Sequence, residues 1–155
     1  MRPALAAGRL PQSQLSPDIP VPAPHPEPQY FQQHMFHALG ISLELREEAH
    51  IRASMQVGPH NCQPLGCLCG GASIAMAEIL AGMGSLDLLE PGLFPMGIQV
   101  SANHLRPAPF GSTVHADGTL IHRGRSLHLW NVEITDGGGA TLSSVRVTNS
   151  IVRKH

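Results

Sequence analysis

The sequence predicts an α+β protein in which an antiparallel sheet wraps around one long, apolar helix. Three observations predict it. The stretch from Gly70 to about Leu89 is apolar at Ala72, Ala75, Met76, Ile79, Met83 and Leu86, which is helical spacing. Six other runs alternate apolar and polar residues with a period of two, the mark of strands with one buried face. No second long helix is available to cover those faces, so the central helix must do it.

Residues 1–28 contain eight of the 14 prolines, with every second residue from Pro20 to Pro28 a proline. Such a run lacks N–H donors and restricts its neighbours. It is expected to be a disordered or polyproline-like leader, leaving residues 29–155 as the folded domain. Tyr30 to Leu39 suits a short helix stopped by Gly40. Ile41, Leu43 and Leu45, then Ile51, Ala53, Met55 and Val57, mark two strands of a hairpin. After the central helix, Pro91-Gly92 is a turn. Strands are then expected over 96–106, 113–122, 126–135 and 141–152. The first is stopped by Pro107 and Pro109, and the last two are joined through Asp136-Gly137-Gly138-Gly139.

The composition narrows the function classes. The chain has 155 residues, 42% apolar, and a formal net charge of -1. That length suits one domain with a real core. The near-neutral charge offers nothing to attract nucleic acid or an anionic membrane. No apolar run reaches transmembrane length. Cys62, Cys67 and Cys69 are odd in number and crowded together, which is no disulfide framework and makes the cytoplasm the default location. Cys67-Leu68-Cys69 is a poor match to zinc spacing, so neither metal nor cofactor is expected.

The chemistry concentrates in Gln63 to Gly84. The Gly70-Gly71 pair admits close approach of another group where the helix starts, and a helix start offers unpaired N–H groups and a partial positive charge. Glu78 is the only charged residue between that loop and Asp87. A helix apolar nearly all round is expected to be buried nearly all round, which makes Glu78 a buried carboxylate needing a partner or a function. Free N–H donors followed within about two turns by such a carboxylate could bind and attack a carbonyl compound. The alternatives are a structural ion pair for Glu78, backbone satisfaction for Gln63 and mere helix packing for the glycines. Cys69 as a thiol nucleophile is a further alternative, because a helix start favours a thiolate. His115, His122 and His128 alternate with apolar residues and are expected to face solvent.

Three blocks resemble one family. They are Gln63-Pro64-Leu65-Gly66 through Gly70-Gly71-Ala72-Ser73 to Ala77-Glu78; Ser101-Ala102-Asn103-His104-Leu105-Arg106; and Gly124-Arg125-Ser126 with Trp130-Asn131-Val132-Glu133-Ile134. Together they resemble the hotdog-fold acyl-CoA thioesterases of the phenylacetic-acid-degradation type, nearest the 1,4-dihydroxy-2-naphthoyl-CoA and 4-hydroxybenzoyl-CoA hydrolases. The resemblance runs from about Leu39 to Ile151. It implies an acyl-CoA substrate, aromatic or of medium length. It also implies a homodimer with a continuous sheet, often paired again into a tetramer, and an active site across the dimer interface. Glu78 matches the catalytic carboxylate, acting as nucleophile or general base. Gly70 matches the backbone donor to the thioester oxygen, and Gln63 a glutamine holding the thioester or water. His104, Arg106, Gly124, Arg125 and Ser126 match the coenzyme A site.

Two positions depart from the family pattern: Cys69 stands where His is usual, and Gly82 where Ser or Thr is frequent. A non-catalytic acyl-CoA-binding protein and a hotdog hydratase or dehydratase are the competing expectations. The latter fold relatives usually place a His with an acidic residue in the site.

Overall fold

A computed structural model describes residues 35–153. The leader 1–28 and the first residues of the helix expected from Tyr30 lie outside them. The order is α1 (Met35–Ala38), β1 (Ile41–Glu47), β2 (His50–Gln56), β3 (Cys62–Gln63), β4 (Cys67–Leu68), α2 (Gly70–Leu86), β5 (Leu93–His104), β6 (Thr113–Arg123), β7 (Leu127–Thr135) and β8 (Thr141–Arg153). Six strands form one sheet in the order β1-β2-β6-β7-β8-β5, every neighbouring pair antiparallel. Helix α2 packs against it, contacting all six strands. The expected α+β architecture is present, with α2 ending at Leu86 rather than near Leu89. β3 and β4 form a miniature hairpin of two residues each, too short for any periodic signal, turning at Gly66 with φ +76.

The core is the inner face of this sheet against one side of α2. Ala72, Met76, Ala77, Leu80 and Ala81 are buried, with Ser73, Gly84 and Ser85 on the same side. The outward side is not: Ile74, Ala75, Ile79, Gly82 and Met83 are half-buried and Glu78 and Leu86 are exposed. Expected burial all round the helix is therefore corrected. A single sheet covers only the face turned to it; among the described residues the other face is bordered at its edge by Met35 and, along β5, by Phe94, Pro95 and Gly97, and is otherwise left uncovered. Glu78 lies on that uncovered side.

Trp130 fills the middle of the core, 0% exposed. Gly84 leaves room for it, because an added Cβ there would stand 2.5 Å from its Cη2. The indole Nε1 donates to Ser85 Oγ at 2.8 Å. Asn149, also buried, donates from Nδ2 to the same oxygen at 3.1 Å and to the Ala81 carbonyl at 3.1 Å. One hydroxyl thus satisfies two buried donors.

His128 corrects a second expectation. It is 2% exposed rather than solvent-facing. It has the same parity as Trp130, Val132 and Ile134, so the strand that buries those three buries it too. Its Nδ1 has no hydrogen-bond partner among the described residues. Burial, then the nearby positive charge of Arg123 and of His122 when protonated, holds its pKa below the ordinary value. The neutral imidazole is the native form. The unfolded chain binds the proton more readily, so this contribution to stability is complete above about pH 6.5 and declines as pH falls toward the lower, folded pKa. The melting temperature of the wild type should therefore drop more steeply below pH 6.5 than that of His128→Leu. Parallel curves would contradict this.

Candidate active site at the start of the central helix

The loop before α2 is held by Asn61, which is 5% exposed. Its Oδ1 accepts from Gly58 N–H at 2.8 Å, and its Nδ2 donates to the carbonyls of Gln56 at 2.9 Å and Leu39 at 3.2 Å. Its own carbonyl accepts the Cys69 N–H at 2.8 Å. Asn61 was not singled out in the sequence, although an Asn after Gly58-Pro59 is a turn signal. It fixes where α2 begins. Cys69 is the N-cap, with φ -69 and ψ 132, and its thiol makes no cap hydrogen bond. No acidic residue stands in the first turn. The partial positive charge of the helix start is therefore left to whatever enters the adjoining cavity.

That cavity, about 180 Å³, is bordered by Gln63, Gly70, His104 and Arg106, with Cys67, Leu68 and Ser143 among its walls. Gln63 is opposite Cys67 in the β3–β4 pair, and its Nε2 donates to Cys67 Sγ at 3.0 Å. His104 is opposite Ser143 in the β5–β8 pair. His104 Nδ1 and Ser143 Oγ share a 2.9 Å hydrogen bond, whose direction follows the imidazole tautomer. Ser143 lies 39 residues away in sequence, which left no local signal for its role. The other imidazole nitrogen faces Gly70: a Cβ there would stand 2.7 Å from Nε2. Gly70 therefore serves close approach as well as helix start. Arg106 Nη1 donates to the Thr141 carbonyl at 2.6 Å, which carries its guanidinium along the cavity wall.

His104 reaches this position through an irregularity in β5. Gly97 pairs with Asn149 and Gln99 with Thr148, so Ile98 is an extra residue, a β-bulge. Gly97 faces Glu78 on α2, Val100 and Ala102 pack against the core, and His104 faces Gly70. Without the extra residue, 97 and 104 would point to opposite faces.

The remaining candidates stand elsewhere. Cys69 is exposed and outside the cavity lining. Glu78 lies on the uncovered face of α2, in a separate groove of about 410 Å³ with Ala75, Ile79, Gly82, Met83, Phe94 and Pro95. It is eight residues beyond Gly70, roughly 12 Å along the axis. Gly124, Arg125 and Ser126 form the β6–β7 turn, where Gly124 N–H donates to the Leu127 carbonyl at 2.8 Å. Arg123, at the head of that turn, reaches the Leu88 carbonyl at 3.0 Å, beyond the C-terminal end of α2. One protomer thus gathers Gln63, Gly70, His104 and Arg106, and holds Glu78 and the Arg125 turn apart from them. Among the described residues no three His, Cys, Asp or Glu side chains converge to hold a metal, and no helix is long and apolar enough to cross a membrane.

An antiparallel sheet packed on one long helix, whose start opens on a cavity bordered by Gln63, His104 and Arg106, is the hotdog architecture of a thioester hydrolase. The chain belongs to the thioesterase superfamily, whose family model matches residues 65–143. It is 32% identical over 116 residues to the 1,4-dihydroxy-2-naphthoyl-CoA hydrolase of Listeria monocytogenes, covering 75% of this chain and 94% of that protein. It is 32% identical over 114 residues to the proofreading thioesterase EntH of Klebsiella pneumoniae, covering 74% and 82%. A crystallised thioesterase from Haemophilus influenzae superposes with a TM-score of 0.75 at 32% identity, covering 81% of this chain and 87% of that one.

Proposed function

We propose that this thioesterase hydrolyses an aromatic or medium-length acyl-CoA to the free acid and coenzyme A, in a site completed by a second copy of the chain. The observation that carries the proposal is the division just described. The cavity beside Gly70 adjoins the helix start and has Gln63, His104 and Arg106 on a partly apolar wall but no carboxylate, whereas Glu78 faces outward from an apolar groove. The relative named as a 1,4-dihydroxy-2-naphthoyl-CoA hydrolase supports an aromatic acyl-CoA as substrate.

In the proposed reaction the labour is divided among these residues. The thioester oxygen sits at the start of α2, where the Gly70 N–H stabilises the charge that develops on it. Such a preorganised donor contributes roughly 3–4 kcal/mol in well-studied acyl transfers. Gln63 holds the thioester or the water. Glu78 of the second copy attacks the carbonyl carbon or takes a proton from the attacking water. The carbon–sulfur bond then breaks and coenzyme A departs, taking up a proton as the free thiol; where Glu78 itself attacked, water then cleaves the acyl–Glu78 anhydride, releasing the acid and restoring the carboxylate. His104 and Arg106 of one copy, with the Gly124-Arg125-Ser126 turn of the other, receive the coenzyme, whose phosphates suit Arg. The pairing surface is the edge strand β5, where Met96 is 57% and Ile98 59% exposed in the protomer. Covering it continues the sheet and brings the outward face of α2 opposite a neighbour. The assembly is that homodimer, or two such dimers paired again into a homotetramer. Residues 29–155 make up the working domain, the proline-rich leader standing outside it, in a cytoplasmic protein.

Thiol release from a panel of acyl-CoA esters tests this reading. Turnover is expected on aromatic or medium-length esters and loss of it in Glu78→Ala. Tight acyl-CoA binding without thiol release would overturn it, and so would water addition to an enoyl-CoA as the dominant reaction. Cys69→Ala should keep most activity. If it does not, while Glu78→Ala does, the thiol rather than the carboxylate is the nucleophile.

A further inference from the structure

Gly97 is the residue in β5 that faces Glu78. A Cβ added there would stand 2.5 Å from Glu78 Oε1, 3.4 Å from Cδ and 3.6 Å from Cγ. The first distance is too short for any real contact, so a side chain at 97 and the present carboxylate position exclude one another. The conflict involves only the far end of a flexible side chain. No backbone conformation demands glycine either, since Gly97 is absent from the residues with positive φ. It also sits on an exposed edge strand. Neither local strain nor core packing accounts for a glycine here. The contact with Glu78 does.

The bulge at Ile98 completes the arrangement. It lets Gly97 face α2 while the strand beyond it turns His104 to the same side. Moving the extra residue would replace Gly97 opposite Glu78 by a bulkier neighbour, Met96 or Ile98.

We infer that Gly97 is a positioning residue for the Glu78 carboxylate: its missing side chain fixes how far the carboxylate folds back against β5, and so where its oxygens stand toward a substrate. The inference rests on Glu78 being the catalytic carboxylate of the proposed reaction. A methyl group at 97 displaces the carboxylate by about an ångström, and a displacement of that size costs on the order of a hundredfold in rate.

Gly97→Ala should lower kcat by about ten- to a hundredfold. KM, the elution volume of the native assembly and the melting temperature should stay essentially unchanged. The second variant is Glu78→Asp, whose side chain is one methylene shorter and withdraws from the added methyl. In that background Gly97→Ala should cost less than about threefold, because the two substitutions share one contact. An equal loss in both backgrounds would overturn the inference. So would wild-type kcat in Gly97→Ala, a melting temperature lowered by more than about 5 °C, or a changed assembly. Glu78→Gln separates the two levels. If it is fully active, the reading of Glu78 itself fails. If it is inactive while Gly97→Ala is unimpaired, only the positioning role fails.

Discussion

Glu78→Gln should fold as the wild type does and lose at least about a hundredfold in kcat on acyl-CoA, as expected when a general base is removed. The side chain is exposed in the protomer and makes no described ion pair, so its charge supports little stability there. The amide keeps its size and shape but cannot accept a proton or attack a carbonyl. Hydrolysis within tenfold of wild type, in folded protein, would end the carboxylate mechanism. The same variant reports on the shared site. Mixed with Gln63→Ala, it should regain activity after unfolding and refolding together. A dimer of one chain of each kind then has one site carrying both defects and one carrying neither. Half the dimers are mixed at equal input, so roughly a quarter of wild-type activity returns. If the site lay within one protomer, every site would carry one defect and nothing would return.

Ser85→Ala should destabilise the core by about 2–4 kcal/mol, since the Trp130 N–H loses its acceptor and the Asn149 amide keeps only the Ala81 carbonyl. The Trp130 Nε1 and Asn149 Nδ2 both donate to its hydroxyl, and all three residues are buried. For a domain of this size the melting temperature should fall by on the order of 10 °C. The kcat measured well below the transition should hold, because Ser85 lies about four turns along the helix from Gly70. Ser144→Ala is the comparison. Its hydroxyl donates to Glu133 Oε1 on the partly exposed face of the sheet. That loss should stay within about 0.5 kcal/mol. Equal effects of the two substitutions would show that burial of the Ser85 donors is not what counts.

The sequence by itself determined the central helix and the order of the six long strands around it, though not the β3–β4 hairpin. Its apolar spacing and the period-two strands survive without tertiary context, because each reflects which residues one element can bury. The burial of His128 is legible in the same period: counted by twos from Trp130 it belongs to the buried face, against the general preference of His for solvent. The motif from Gln63 to Glu78 likewise marked the loop that borders the cavity and the helix that carries Glu78. What it could not carry was direction. Apolar residues on all sides of α2 give no sign of which side the sheet takes, and that choice left Glu78 outward and Gly70 against the cavity. Nor could a run of residues show that one extra residue at Ile98 reverses the facing of the strand beyond it, or that Gly97 and Gly70 each yield space to a side chain from a distant element. Those facts depend on contacts between chain segments far apart in sequence, and local periodicity records only what neighbours along the chain do.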